Sequence, residues 1–309
     1  MTVTGVTSNS ELNAVGTGSP SSGFSHRSRG RSVRNELARV VMWTAFAMAM
    51  VPLAWILWSV VSKGGQMLLD NNWWANSQRG ITNRVAGGGA VHAIQGTLIQ
   101  GLVTAVMAVP IGVMTAIYLV EYGRGRLAKA VSFTVDILTG IPSIVAALFI
   151  YAVWVTVFGF RRVGFAVCLA LVLLMIPVVV RSTEEMLKLV PNELREAAYA
   201  LGVPKWKTIV RVVLPTAFSG IITGILLGLA RVMGETAPLL ILGPYTKNIA
   251  TDLFNGLMPT LPTMINQDRT EVLQTAVDRV WGAAATLILL ILLLNLSARL
   301  IGRSGKLKS

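Results

Sequence analysis

The chain has 309 residues, of which 53% are hydrophobic and only 13% charged, with a formal net charge of +13. A soluble globular protein carries about 25% charged residues, so this balance excludes an ordinary water-soluble fold. The basic residues flank apolar runs rather than interleaving with aromatics on a polar surface, which argues against a nucleic-acid partner. One cysteine, Cys168, and two histidines far apart in sequence, His26 and His92, leave no internal disulfide and no evident metal ligand set.

The first 38 residues are rich in Ser, Gly, Thr and Asn and become basic from Arg27 to Arg39. They read as a disordered basic tail. The apolar run that follows is too long for a secretory signal and lacks a small-residue cleavage pattern, so it is expected to stay in place. A helix needs about 20 apolar residues to cross a bilayer with its backbone bonds satisfied internally. Six segments qualify: Val40 to Ser62, Ala93 to Val120, Ile137 to Phe160, Val163 to Val180, Pro215 to Ala230 and Val280 to Ala298. The fifth is short unless it continues through Arg231 and Glu235 towards Leu242. The expectation is an all-α integral membrane protein with six transmembrane helices over 39–302, a loop at 181–214 and a short basic tail at 303–309.

Lysines and arginines in the connections set the orientation, because translocating positive charge is disfavoured. With the N-terminus inside, eighteen fall on the cytoplasmic side and eight outside, so both termini are expected in the cytoplasm. The arginines of the tail would also permit contact with anionic membrane lipid. Trp73, Trp74 and Trp281 are placed at the outer interface, where amphipathic rings collect. Asp278 and Arg279 are placed at the same boundary, and Asp136 at a helix start or the inner interface.

The loop from Arg181 to Leu214 reads as two short helices. Pro191 and Asn192 start the first; Leu194, Ala197, Ala198 and Leu201 share a face; Gly202 ends it in a left-handed cap. Pro204 opens the second, with Trp206, Ile209, Val210 and Val213 on one side. An apolar stripe facing water suggests docking into a groove of a partner. The run Glu196-Ala197-Ala198, three residues, Gly202, nine residues, then Val212-Val213-Leu214-Pro215 resembles the EAA loop of bacterial ABC importer permeases, with Val212 in place of the usual isoleucine. That resemblance implies a coupling helix seated on a separate ATP-binding subunit, with Glu196, Ala197, Ala198, Leu201 and Gly202 as coupling residues. ATP and Mg would then belong to the partner ATPase. The chain itself lacks a G-x-x-x-x-G-K-[ST] loop, and no catalytic residue or cofactor is expected in it.

An ionisable residue inside a membrane helix is costly unless it is paired or faces water, so it marks a pathway by default. Arg231 and Glu235, four apart, would lie on one helical face and partly neutralise each other, and a guanidinium fork matches an oxyanion. Gly234 and Pro238 allow the helix to bend or break there. Arg231, Glu235 and Thr236 are the candidate pathway residues. The passage Gly234-Glu235-Thr236-Ala237-Pro238-Leu239-Leu240, with Gly140-Ile141-Pro142-Ser143-Ile144-Val145 and Asn295-Leu296-Ser297-Ala298-Arg299, resembles the phosphate-specific ABC importer permeases, and the PstA type more closely than the sister PstC type. The resemblance spans about residues 90 to 302. It implies a type I ABC importer permease fold, a PstC-like sister permease, a PstB-like ATPase dimer, a PstS-like extracytoplasmic phosphate-binding protein, and residence in the bacterial inner membrane. Two other readings stay open at this stage: an ABC permease for another oxyanion or organic solute, and a self-contained channel or ion-coupled carrier. The carrier reading calls for internal repeats, which are not evident.

Overall fold

The computed structural model describes residues 29–306; the tail expected over 1–38 lies outside the described residues as far as Ser28. From Arg29 the chain is already helical. Helix α1 runs Arg29–Leu69, so the first helix begins ten residues before the boundary read from composition. The chain divides into two units, one ending at Trp55 and one beginning at Ile56. In the first, α1 is exposed along its length from Val33.

The second unit holds the rest of the described fold: α2 (Asn71–Ala75), α3 (Val91–Ile117) with a π-helical extension over Tyr118–Tyr122, α4 (Gly125–Gly140), α5 (Ser143–Ile150) with a π-helical extension over Tyr151–Val157, α6 (Gly164–Lys188), α7 (Asn192–Ala200), α8 (Lys205–Thr208), α9 (Leu214–Met233), α10 (Ala237–Leu242), α11 (Leu261–Asp268) and α12 (Gln274–Lys306). Among the described residues five helices are long and apolar enough to cross a membrane, or six if the bent pair Gly125–Gly140 and Ser143–Val157 counts as one span.

That pair corrects the third expected crossing, Ile137 to Phe160. The chain bends by 105° between the two halves of the pair. Pro142 has no N–H to continue the ladder and drives the residue before it out of helical backbone; Ile141 accordingly sits at φ −72°, ψ 125°. The fifth crossing needs a second correction. It begins at Lys205, ten residues before Pro215, because α8 passes through a π-helical turn, Ile209–Val213, directly into α9. The wide turn accommodates Pro215, which lacks the N–H that a continuing helix would donate to Arg211. The second helix of the loop is therefore the foot of a span.

Small residues let these helices approach closely, as membrane bundles require in the absence of a hydrophobic drive between spans. Gly220, Gly224 and Gly228 form one ridge of α9, and a Cβ on each would meet Met186, Ser182 and Val178 of α6 at 2.3, 2.6 and 3.3 Å. On the other side of α6, a Cβ at Gly112 of α3 would lie 2.7 Å from Val179. Ala108, Ala170, Met175 and Val179 fill the resulting core. Arg181 of α6 binds Asp136 and the hydroxyl of Ser132 (3.1 Å), tying α4 to α6. Asp136 is thus a partner for Arg181 and caps no helix start.

At the opposite end from α7, Trp73 is 1% exposed and its indole N–H donates to Thr286 Oγ1 at 2.9 Å. It is a core residue there, packed with Ala90, Ala93, Leu261 and Ala283. Arg279 is also buried, donating to the carbonyls of Val85 (2.6 Å) and Gly87 (3.0 Å). It pins the segment between α2 and α3.

Candidate functional site

Helix α9 stops at Met233, and Gly234 takes the C-cap position. The N–H groups of Gly234 and Glu235 turn back to the carbonyls of Arg231 and Val232, both at 3.1 Å, which tightens the last turn. Helix α10 starts at Ala237 after Thr236, with Pro238 in its first turn. The break foreseen at Gly234 and Pro238 is therefore present. Its consequence corrects the expected geometry: Arg231 lies in the last turn of α9 and Glu235 lies beyond the helix end, so the two do not share a helical face. Among the described residues they form no ion pair; the pairs present involve Arg39, Arg181, Lys188 and Arg195. Arg231 is exposed on this chain while its neighbours Val232 and Met233 are buried. A cation in the last turn is favoured by the partial negative charge of a helix C-terminus, and among the described residues no carboxylate neutralises this guanidinium. Glu235 and Thr236 are half-buried beside it, and the Thr236 hydroxyl reaches the Gly234 carbonyl at 3.5 Å.

Behind the break lies a cavity of about 10 Å³ bordered by Thr97, Gln100, Met233, Leu239 and Thr260. Both polar atoms of the Gln100 side chain, and the hydroxyl of Thr104, are buried without a hydrogen-bond partner. A space of this size is at the lower limit for one water. The sequence reading passed over these residues because they are uncharged, although Thr97, Gln100 and Thr104 recur at helical spacing within an otherwise apolar span.

The α7 loop has the cap expected of it. Gly202 sits at φ +75°, its N–H bonds the Tyr199 carbonyl at 2.9 Å, and the Val203 N–H bonds the Ala198 carbonyl at 3.1 Å. These are the two bonds of a Schellman motif, which needs a residue tolerant of positive φ. The apolar stripe divides. Ala198 is turned inward at 8% exposed, while Leu201 is 84% and Trp206 62% exposed; Leu194, Glu196 and Ala197 are exposed as well. Sequence spacing alone could not separate Ala198 from its neighbours, since only the packing of α7 on the spans decides which edge of the stripe is covered.

The end of the unit opposite α7 carries a buried polar cluster that the sequence reading also missed. Tyr245 Oη donates to Gln78 Oε1 at 3.2 Å and lies 3.0 Å from His92 Nε2. Burial and the neighbouring Asp268 push the Tyr245 phenol upward, so it stays a hydroxyl. Asp268 is fully buried with neither carboxylate oxygen hydrogen-bonded. Burial holds its carboxyl above the usual range despite Lys247 and Arg279 nearby. A raised carboxyl pKa means that the fold prefers the protonated acid, so this group's contribution falls as pH rises past the ordinary carboxylate value of about 4. Asp268→Asn should therefore raise the melting temperature of the detergent-solubilised protein near neutral pH, and the gain should shrink as the pH approaches about 4. A gain that is flat across this range would mean that Asp268 is not strained by ionisation.

Residues 108–304 match the family model described as the binding-protein-dependent transport system inner membrane component. The chain is 53% identical over 271 residues to the phosphate transport system permease protein PstA 1 of Mycobacterium tuberculosis (strain CDC 1551 / Oshkosh), covering 88% of this chain and 89% of the relative. It is 40% identical to the phosphate transport system permease protein PstA of Yersinia pestis, covering 88% and 90%. Among solved structures, a bacterial alginate ABC transporter in complex with a pentasaccharide-bound periplasmic protein superposes with a TM-score of 0.60 at 14% identity, covering 90% of this chain and 98% of that one. An inward-facing MetNI methionine ABC transporter gives 0.54 at 20% identity, covering 69% and 93%. The last two bear on fold alone, and they agree with the type I importer architecture expected from the sequence. With a helix broken beside an unpaired arginine, an exposed capped loop helix, and these relatives over most of its length, the chain belongs to the binding-protein-dependent transport inner membrane component family, among its PstA-type permeases.

Proposed function

We propose that this chain is the membrane-spanning subunit of an ATP-driven importer of inorganic phosphate in the bacterial inner membrane. The observation that carries the cargo is the identity with phosphate permeases across nearly nine-tenths of the chain. The free Arg231 at the α9 break supports it chemically, because a planar fork of donors suits a tetrahedral oxyanion. In this reading Arg231, Glu235 and Thr236 border the path, which is completed by a second permease. Glu235 near the same opening moderates the attraction, so that cargo can leave as well as enter. Both termini and the α7 loop face the cytoplasm, where α7 docks on one of a pair of ATPase subunits that bind ATP and Mg. An extracytoplasmic phosphate-binding protein delivers cargo to the other face. This chain contributes the conduit and the mechanical input, and performs no hydrolysis itself.

Docking is tested with single cysteines in intact membranes, after Cys168 is replaced by alanine. Leu201→Cys, at the most exposed position of the loop stripe, should give a disulfide-linked or reagent-linked adduct with the ATPase subunit. Ala198→Cys, turned inward, should give little. Absence of an ATPase adduct at Leu201, with adducts to other chains instead, would assign the loop to a different partner.

A further inference from the structure

The loop helix is fastened to the spans by one side chain that the EAA pattern does not include. Arg195 of α7 is 13% exposed and uses all three of its guanidinium nitrogens. Nη2 donates to the carbonyl of Leu187 (3.0 Å) and Nη1 to that of Val190 (2.6 Å), at the end of α6, and Nη1 also reaches Asn192 Oδ1 at 3.3 Å. Nε (3.2 Å) and Nη2 (3.0 Å) converge on Oε1 of Glu121, whose side chain is only 6% exposed. Glu121 lies in the π-helical extension of α3. Its main-chain carbonyl accepts from Lys205 Nζ, and the same ammonium sits 4.8 Å over the Tyr122 ring. The end of α3 is therefore held twice, by its side chain to α7 and by its backbone to the foot of the α9 span.

We infer that the Arg195–Glu121 pair is the link through which displacement of α7 is passed to α3, the span that carries Thr97, Gln100 and Thr104 behind the Arg231 break. The argument is geometric. The bonds to Leu187, in the last turn of α6, and to Val190, two residues past its end, would hold α7 to the α6 terminus alone. The bonds to Glu121 add a second span, 74 residues away in sequence. They do so with a charged pair largely withdrawn from solvent, where loss of one partner leaves the other uncompensated. The π-helical turn that ends α3 sets Glu121 against the guanidinium. With α3 and α6 packed on each other through Gly112 and Val179, α7 cannot tilt without shifting the ends of both. Arg195 and Glu121 are positioning residues in this scheme; neither meets cargo or nucleotide.

The inference rests on the proposed docking of an ATPase at α7, and its test separates the two. The whole complex, with its second permease, ATPase pair and phosphate-loaded binding protein, is reconstituted in vesicles, and phosphate imported per ATP hydrolysed is measured. Glu121→Ala leaves the α6 bonds of Arg195 in place. It should keep ATP hydrolysis within about twofold of the wild type while the import ratio falls about tenfold, as expected for loss of an ordinary coupling free energy. Glu121→Gln retains an acceptor without the charge and should show a smaller fall; it decides the matter should the alanine variant fail to assemble. A purely structural role would lower the amount of complex and leave the ratio intact. An unchanged ratio in the Gln variant, or hydrolysis and import falling in step, overturns the link. Wild-type vesicles that import no phosphate with ATP would instead bring down the proposed function, and this link with it.

Discussion

Arg231→Ala is expected to leave the complex assembled and to lower phosphate uptake by about a hundredfold, the scale of losing a charge-assisted hydrogen-bonding group. Assembly should survive because the guanidinium makes no ion pair and is exposed on this chain, whereas Val232 and Met233 on either side of the inward face carry the packing. Arg231→Lys keeps the charge but replaces a rigid fork by a point charge on a flexible stem, and uptake should drop by roughly tenfold. Glu235→Gln separates two accounts of the arginine. Were the residues a structural ion pair, removing the carboxylate would strand a charge in the bundle and lower the melting temperature. In the geometry observed, Glu235 lies past the helix end and unpaired, so the melting temperature should hold and only the apparent affinity for phosphate should change. Normal uptake by Arg231→Ala removes the residue from the pathway.

What could be read from the sequence divides along a physical line. Apolar runs long enough to cross a bilayer depend on composition alone, and five of the six are present in nearly their expected places. The break in the third leaves no mark on hydropathy, which averages over a window and passes over Pro142. The fifth extends ten residues before Pro215 for the opposite reason: a proline reads as a start, while the chain absorbs it in a wide turn. Gly202 was legible because a left-handed cap leaves glycine as nearly the sole choice. Arg231 was legible because a charge in an apolar run has few explanations. Its lack of a partner was not, since spacing of four implies a pair only while the helix continues. Glu121 and Arg195, far apart in sequence and each unremarkable in a polar connection, carry no local signal; only the packing of α3 beside α6 brings them together. The same holds for the burial of Trp73 and Arg279, whose partners lie far away in sequence.

The glycine ridge of α9 is legible in the sequence: Gly220, Gly224 and Gly228 stand at a four-residue spacing familiar from close helix pairs in membranes. Gly224→Val is expected to destabilise the protein by about 3 kcal/mol, at the upper end of overpacking effects. A Cβ at Gly224 would fall 2.6 Å from both Cβ and Oγ of Ser182, and atoms this near the backbone of α6 cannot swing aside as a long side chain would. The two helices must therefore separate, and with them the Val178 and Met186 contacts of the neighbouring glycines. Gly65→Ala serves as the control, since nothing lies within 4 Å of its added Cβ, and a helical alanine there should be neutral or stabilising by about 0.5 kcal/mol. Ser182→Gly placed in the Gly224→Val background should restore part of the loss, because it removes the atoms that collide. Non-additivity of that pair in a double-mutant cycle is the signature of direct contact; strict additivity, with the melting temperature of Gly224→Val matching that of Gly65→Ala, would show that α9 is held to α6 by something other than this ridge. Because α9 carries Arg231 one turn beyond Gly228, the same variant should also weaken phosphate uptake in proportion to the protein that remains folded, leaving the import ratio per ATP unaltered.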